Sequence, residues 1–280
     1  MIFSPTDCRV FVNGCFSELS LTCTGSPQGC VLSPLLYILY TDDCRSNHLN
    51  RFLVKFAIDS ALLSLLQGSE QDHGPALTEF VDRGDNSYLD LNVTKTKEMI
   101  VDFRRQEHSP GKTIIHNNEV EIVSKYKYLG TIFDDKLKWD DNTEEIVKKG
   151  QQRLHLLRKL NYFSVDQNIL TLFYRSFIES VLSFSFMCWF HSLGEKNRNS
   201  LQRIVRIASK ITAVPQRDLA LFCEQQILRK AGSIFTKKDH ILNQEFTTLP
   251  LGRRLRCPIC KTNRFKNSLM PVAVRLLNNT

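Results

Sequence analysis

The chain has 280 residues, of which 42% are hydrophobic and 24% charged, and these fractions argue against a disordered protein. Its length suffices for one large domain or two modest ones with a buried core. The charge is uneven, with 14 basic and 19 acidic residues in the first 140 positions and 23 against 10 in the last 140. A basic half predicts a polyanionic partner, although a solvated basic face without any partner has the same composition.

The cysteines and the N-terminus indicate an intracellular protein, nuclear or cytoplasmic, rather than a secreted one. The nine cysteines are too sparse for a disulfide scaffold, and the first residues lack the basic and apolar stretches of a secretory signal. The most apolar stretch, Ile169–Phe190, contains Arg175 and Glu179. Because both charges are costly in a bilayer, we expect a core helix and no membrane partner.

The first half of the chain predicts short antiparallel strands with a few helices, which is an α+β pattern. A hairpin is expected over 9–23 because two β-rich runs flank Asn13-Gly14. A loop then leads into an apolar helix over 34–40, and apolar runs at 52–57 and 60–66 predict a second hairpin. The remaining predicted elements are a surface helix at 76–90 and strands within 98–103 and 113–133.

The second half predicts helices. Asn142 with Glu145 and Ser164 with Gln167 match the capping-box spacing that begins a helix. A third helix over 198–212 alternates apolar residues with basic ones, a pattern that suits a nucleic-acid backbone and equally a helix bundle. Its basic residues are Arg198, Arg203, Arg206 and Lys210. We therefore predict two domains, 1–138 mixed and 139–280 helical.

Four segments, in order and spacing, resemble the reverse transcriptases of LINE-type (non-LTR) retrotransposons. They are Gly25–Leu36 with its loop Ser26-Pro27-Gln28-Gly29, Leu53–Ser60, Leu91–Met99 and Lys125–Gly130. The resemblance implies a partial palm at 1–138, a thumb-like helical region at 139–280, and RNA or DNA as the ancestral template-primer partner. It also implies that Ser26, Pro27, Gln28 and Gly29 border the nascent base pair. The oligomeric state is not implied.

The same resemblance implies magnesium-dependent phosphoryl transfer, in which two metal ions are held by carboxylates. In the family two aspartates lie side by side in the hairpin turn, and here the first is replaced by Ile58. Asp59 remains as a vestigial catalytic residue and metal ligand, and Lys95 matches a lysine that can act as general acid. The family's first aspartate-bearing strand lies further upstream than the 25 residues before Ser26 allow. We therefore expect an inactive polymerase that binds no magnesium.

Two other motifs invite a functional reading that their context does not support. Tyr40-Thr-Asp42-Asp43 spells a polymerase motif, but it continues an apolar helix and precedes no strand, so we expect surface residues. Cys257 and Cys260 have zinc-ligand spacing, but no second cysteine pair lies nearby. We expect no structural zinc.

Residues 148–189 carry a second resemblance, to the N-terminal helical module of an AlkB-type tRNA-modifying enzyme. The dioxygenase would need a His-x-Asp motif and a methyltransferase a glycine-rich loop, and the sequence has neither. Four alternatives stay open: a co-opted RNA- or DNA-binding protein, a helical interaction module, a product without a selected role, and a polymerase completed by another chain.

Overall fold

The fold is a mixture of antiparallel hairpins and helices, which confirms the predicted α+β class. It is seen in a computed structural model that describes residues 6–22, 31–46, 48–66, 73–104, 111–250, 252 and 254–279. The chain divides into two compact units. Unit 1 comprises Met1–Lys97 and Ser109–Glu121, and unit 2 comprises Glu98–His108 and Ile122–Thr280.

Within the described residues the strands form six separate two-stranded sheets and no broad sheet. The strands are β1 Thr6–Cys8, β2 Phe11–Val12, β3 Cys15–Phe16, β4 Ser20–Thr22, β5 Arg51–Phe56, β6 Asp59–Ser64, β7 Lys97–Glu98, β8 Ile114–Ile115, β9 Asn118–Glu119, β10 Glu121–Ile122, β11 Lys125–Tyr128 and β12 Thr131–Asp134. The pairs are β1–β4, β2–β3, β5–β6, β7–β10, β8–β9 and β11–β12. Two helices, α1 Leu32–Tyr40 and α2 Gly74–Asn86, complete unit 1.

In three of these hairpins the two strands are joined by a two-residue turn whose residues have a left-handed backbone conformation. The turns are Asn13-Gly14, His116-Asn117 and Leu129-Gly130, and all six residues have positive φ. Such turns match the twist of the strands that they join. A Cβ at Gly130 would also crowd Phe184, because it would lie 3.3 Å from Cε1 of that ring. The predicted hairpins at 9–23 and 52–66 and the predicted helices at 34–40 and 76–90 are confirmed.

The strand predicted over 98–103 is wrong beyond its first residue. The carbonyl of Glu98 accepts the N–H of Val123 at 2.8 Å, and the pairing ends there. Further along, the Asp102 carboxylate accepts the backbone N–H of Arg104 at 2.8 Å. A short acidic side chain that bonds its own backbone two residues on favours a turn over a strand.

Unit 1 has a small apolar core among its described residues. Its buried apolar side chains are Ala76, Ile115 and Val120. In the β5–β6 ladder, Phe52 lies opposite Leu63 and Val54 opposite Ala61, and Phe52, Leu63 and Val54 are 43–52% exposed. Since an apolar strand is usually covered on both faces, this hairpin has less packing than its sequence predicts.

Unit 2 holds the large core. Its helices are α3 Asp140–Tyr162, α4 Gln167–Phe173, a π-helix Tyr174–Glu179, α5 Ser180–Leu182, α6 Phe186–Trp189, a 3-10 helix Phe190–Ser192, α7 Glu195–Thr212, α8 Leu219–Thr236, a 3-10 helix Asn243–Glu245, α9 Asn263–Lys266 and α10 Leu269–Asn279. The side chains buried most completely are Leu154, Leu157, Tyr174, Ile178, Leu182, Trp189, Leu201, Val205, Leu219, Ile227 and Val274. Burying such side chains is the main stabilising contribution to a helical bundle.

Both predicted capping boxes are wrong. The helix α3 begins at Asp140, so Asn142 lies inside its first turn, where its Oδ1 accepts the N–H of Ile132 at 3.1 Å. The N-cap of α4 is Asp166, whose carboxylate accepts the N–H of Asn168 at 2.8 Å. Ser164, two residues earlier, has a left-handed backbone. At α4, Asp166 thus caps the helix two residues after the expected Ser164, whereas no side chain caps the start of α3.

The apolar stretch Gln167–Ser192 is long and apolar enough to cross a membrane by length and composition alone. In unit 2 its residues Leu170, Tyr174, Ile178 and Leu182 are at most 3% exposed within the core. The stretch is not one continuous α-helix, since the π-helix interrupts it and Ser185 adopts a left-handed backbone. One side of the stretch therefore contributes to the core of unit 2, and the single continuous helix that was expected there is wrong.

Candidate nucleic-acid interface

The turn between β5 and β6 carries the two positions that the polymerase motif singles out. Ala57 and Ile58 form the turn, and Asp59 is the first residue of β6, opposite Phe56. Ile58 is 77% exposed, so a hydrocarbon side chain occupies the tip of the hairpin. Asp59 is exposed, and its carboxylate has no hydrogen bond or ion pair with the part of the chain that the structure describes.

The residues of this turn do not fit a pair of magnesium ions. Each Mg²⁺ requires octahedral oxygen coordination, and the isoleucine side chain offers no lone pair. Asp59 is the sole carboxylate of the turn. Across the described ranges, no group of three or more His, Cys, Asp or Glu side chains is placed to hold a metal ion.

The other residues of the motif are either exposed or outside the described ranges. Ser26, Pro27, Gln28 and Gly29 lie outside them. Lys95 is exposed in a turn that Asn92 organises, since Asn92 Oδ1 accepts the N–H of Lys95 at 3.1 Å. Among the residues that the structure describes, the Lys95 side chain has no hydrogen-bond or ionic partner.

Asp42 and Asp43 lie in the turn that ends α1, where both are exposed, as the sequence predicted. The Asp42 carboxylate pairs with Arg45 at 3.3 Å, and the carbonyl of Asp43 accepts a hydrogen bond from Arg83. Among the described residues between Asp43 and the start of β5 at Arg51 there is no strand. This segment is therefore the end of a helix and does not form a catalytic hairpin.

The helix α7 presents basic side chains to solvent because its apolar residues recur at helical spacing. The buried side of the helix carries Leu201, Ile204, Val205 and Ala208, so the opposite side faces solvent. Arg203, Arg206 and Lys210 recur at spacings of three and four, and all are exposed. These three residues are called the basic row.

No acidic side chain among the described residues pairs with the basic row. Arg203, Arg206 and Lys210 take part in none of the ion pairs that the structure describes in unit 2, such as Lys125–Asp141 at 2.6 Å and Arg217–Glu179 at 2.8 Å. Arg198 lies five residues before Arg203 and outside the row, and its guanidinium donates to the carbonyl of His191 at 3.0 Å. The row is therefore free to contact an anion.

Buried ionisable groups lie in the core behind this surface. Burial, followed by the nearby Glu179 carboxylate, raises the pKa of the Tyr174 phenol, whose hydroxyl has no partner among the described residues. Burial also raises the pKa of the Cys223 thiol to about 12. Burial lowers the pKa of the His191 imidazole, so a neutral ring is favoured there.

The sequence did not identify the exposed aromatic side chains next to α3. Ile169, Leu172, Phe173 and Phe177 were expected in the core because apolar residues at helical spacing predict a buried face. Ile169, Leu172 and Phe177 are instead 53–63% exposed.

The two cysteines with zinc-ligand spacing are free thiols. Cys257 is exposed and Cys260 is half-buried, and both lie in a segment without regular structure.

Two family models match the chain, one in each half. The model described as "Reverse transcriptase (RNA-dependent DNA polymerase)" matches residues 3–133. The model described as "Alkylated DNA repair protein alkB homolog 8, N-terminal" matches residues 139–180. No curated protein and no solved structure matches the chain. The expected resemblances to reverse transcriptases and to the alkB homolog 8 N-terminal module are thereby confirmed: residues 3–133 are similar to the first and residues 139–180 to the second.

Proposed function

We propose that this chain is a remnant of a retrotransposon reverse transcriptase of the LINE type that has no polymerase activity and binds RNA or DNA through the basic row of α7. In this proposal residues 1–138 are a partial palm and residues 139–280 a thumb-like helical region. The protein acts inside the cell, in the nucleus or the cytoplasm. The observation that carries the proposal is the basic row itself, because Arg203, Arg206 and Lys210 are exposed together without an acidic partner among the described residues.

The loss of chemistry follows from the β5–β6 turn. Metal-assisted phosphoryl transfer stabilises the attacking and leaving oxygens with two cations, and those cations need carboxylate ligands. Ile58 removes one of the two carboxylates that the family has in this turn. Asp59 alone is a poor ligand set for two divalent cations, so we infer that the turn holds no magnesium.

Backbone binding needs no such chemistry. Phosphates are contacted by Lys and Arg, and the release of condensed counterions supplies most of the sequence-independent affinity. The last 140 residues carry 23 basic against 10 acidic residues, which favours that release. We therefore expect binding with little sequence preference and a steep dependence on salt.

The test is a titration of the full chain against a labelled duplex and a single strand at several salt concentrations. The logarithm of the affinity should fall with the logarithm of salt, with a slope of about −0.7 to −0.9 per phosphate contacted. The variant Arg203→Gln/Arg206→Gln/Lys210→Gln should flatten the slope by about two to three. The matched control Lys230→Gln/Lys237→Gln/Lys238→Gln removes the same formal charge from exposed positions outside α7.

The control decides whether α7 matters. An unchanged slope in the α7 variant, or an equal change in the control, would assign the affinity to general charge and contradict the proposed surface.

A helical interaction module is the second candidate function, and the match of residues 139–180 to the alkB homolog 8 N-terminal model supports it. Such a module would bind a protein partner, so nucleic-acid affinity would be absent at physiological salt. The same titration therefore separates the two candidates.

A further inference from the structure

The π-helix Tyr174–Glu179 aligns two rows of side chains along one segment of unit 2. Leu170, Tyr174, Ile178 and Leu182 lie four residues apart, and all are at most 3% exposed. An α-helix alone would rotate residues at this spacing out of line, but a π turn contains more residues than an α turn and restores the alignment. The residues one position earlier are aligned in the same way.

That second row is apolar and lies at the surface. It consists of Ile169, Phe173 and Phe177, of which Ile169 and Phe177 are 54% and 53% exposed. The rings of Phe173 and Phe177 stack with centroids 4.9 Å apart and planes inclined by 16°. The π turn therefore creates a flat aromatic pair at the edge of the bundle.

The neighbouring side of α3 extends this surface. One side of α3 carries Arg153, Leu156 and Leu160, at spacings of three and four residues. The C-cap residue Phe163 continues this side beyond the last turn. The guanidinium of Arg153 donates to the carbonyl of Phe177, which places this side of α3 next to the aromatic pair. Leu156 is 49% exposed.

Two further rings lie at the end of α3. Tyr162 is 82% exposed and Phe163 is 73% exposed, and their rings meet edge to face with centroids 5.4 Å apart. Exposed aromatic side chains in such a group are unusual for a surface that contacts only water. The residues Tyr162, Phe163, Phe173 and Phe177 are called the aromatic strip; three of them are exposed, and Phe173 is half-buried against the core.

Most of the cations near the aromatic strip in the sequence have no carboxylate partner among the described residues. Residues 148–177 contain six basic residues and one acidic residue, Asp166, and of the six Lys149 pairs with Glu145 at 3.1 Å. Among the described residues no carboxylate pairs with Arg153, Arg158, Lys159 or Arg175. Asp166 is committed to capping α4. The surface therefore combines flat apolar rings with uncompensated positive charge.

We propose that the aromatic strip is a binding surface for single-stranded nucleic acid, separate from the basic row of α7. Unpaired bases stack on the exposed rings, and the surrounding arginines and lysines contact the phosphates. Stacking on aromatic rings tolerates any base, whereas a duplex keeps its bases within its own stack. The proposal rests on the proposed nucleic-acid binding and adds a preference for single strands.

Charge complementarity favours this ligand over a protein helix. A protein that docks on an apolar strip with five uncompensated cations nearby in the chain must supply matching acidic residues, whereas every nucleotide brings one phosphate. Both ligands would cover the rings, so the test includes the protein alternative as an outcome.

The experiment measures binding of the full chain to a fluorescent oligouridylate of about twenty nucleotides and to a duplex of equal length, since a single-strand site covers about 4–16 nucleotides. The variants are Tyr162→Ala/Phe163→Ala and, separately, Phe177→Ala. The matched control is Tyr88→Ala/Leu221→Ala, which removes two large side chains that are 93% and 61% exposed elsewhere. The changed side chains are exposed, so we expect every variant to fold. The thermal transition of each variant checks this.

We expect the Tyr162/Phe163 variant to lose at least about fivefold in affinity for the oligouridylate, the lower end of what one stacked base contributes. Duplex affinity and the salt slope should stay unchanged, because no phosphate contact is removed. A 5-iodouridine oligonucleotide should crosslink to the strip. The control should bind like the wild-type chain.

Equal affinity of wild type and both strip variants for the oligouridylate would overturn the proposal while leaving the basic row in place. A change in sedimentation of the strip variants with unchanged oligouridylate affinity would assign the strip to protein contacts and also overturn it. If the α7 variant alone lost affinity for both ligands, the proposed function would stand without the strip. If the wild-type chain bound neither ligand, both proposals would fail together.

Discussion

Gly150 of α3 lies directly against Ile204 of α7. A Cβ built on Gly150 would lie 2.7 Å from Cδ1 of Ile204 and 3.5 Å from Cδ2 of Leu182. Ile204 is 2% exposed and Leu182 is fully buried, so neither side chain has free space to move into. The absence of a side chain at Gly150 is therefore what allows these helices to approach closely.

This contact predicts opposite effects for two glycine substitutions in helices. Gly232 of α8 has nothing within 4 Å of an added Cβ, so Gly232→Ala should raise the free energy of unfolding by about 0.5–1 kcal/mol through helix propensity. Gly150→Ala gains the same propensity but overpacks the core, which costs about 1–3 kcal/mol. Urea unfolding followed by tryptophan fluorescence measures both, since Trp139 and Trp189 lie in unit 2. Equal stabilisation by the two substitutions would contradict the packing described for Gly150.

The sequence predicted the elements that depend on local chemistry. The hairpin at Asn13-Gly14 and the helix α7 were predicted because turn residues and apolar spacing act within a few positions. Gly150, in contrast, reads as a weak point of α3, and only the approach of Ile204 explains it. The helix starts failed for a related reason, since Asn142 bonds to Ile132, ten residues away along the chain.

The candidate surfaces divide in the same way. Arg203, Arg206 and Lys210 could be identified because an α-helical repeat describes α7 throughout. Phe177 could not, because an α-helical repeat along the whole apolar stretch predicts a buried position for it. The π turn changes which residues face outward, and no single residue type signals such a turn.

The β5–β6 turn predicts that the purified chain does not extend a primer on an RNA template with Mg²⁺ or Mn²⁺. Restoring a carboxylate with Ile58→Asp should not produce activity, because two metal ions need more oxygen ligands than two neighbouring aspartates supply. An active reverse transcriptase on the same template-primer is the control. Robust extension by the wild-type chain would show that the polymerase chemistry survives, and extension by the variant alone would show that Ile58 was the single defect.

The ion pair between Glu179 and Arg217 predicts strong coupling between two substitutions. The Glu179 side chain is 9% exposed and Arg217 is 53% exposed, with Nη2 and Oε2 2.8 Å apart. Arg217→Ala leaves a nearly buried carboxylate without its counter-charge and should cost about 1–3 kcal/mol, less than a fully buried pair because Arg217 is half exposed. In a Glu179→Gln background the same substitution should cost less, and the difference is the coupling energy.

The cycle needs one further control because Arg217 also stacks over the ring of Phe222 at 4.2 Å. Phe222→Leu removes that stacking and keeps the ion pair. If the Arg217 and Glu179 effects were additive while Phe222→Leu reproduced the whole loss of Arg217→Ala, the stacking rather than the ion pair would hold the segment before α8.

His191 predicts that unit 2 loses stability as the solution becomes mildly acidic. Burial lowers the pKa of its imidazole, Arg198 and Arg275 lower it further, and only Glu224 opposes them. Its Nε2 is buried without a hydrogen-bond partner among the described residues. A proton therefore binds more readily to His191 in the unfolded chain, where the pKa is about 6.5, than in the folded one.

The sign of the effect follows from that difference. Above a pH of about 6.5 the ring is neutral in both states and contributes no pH dependence. As the pH falls through that value the unfolded chain takes up the proton first, so the free energy of unfolding decreases until the folded form is protonated as well. His191→Gln removes this group, and the variant should lose less stability than the wild type between a pH of about 7.5 and about 5.5. The surface substitution His155→Gln on α3 is the matched control. Parallel stability curves for the wild type and His191→Gln over this range would mean that burial of the imidazole does not govern its protonation.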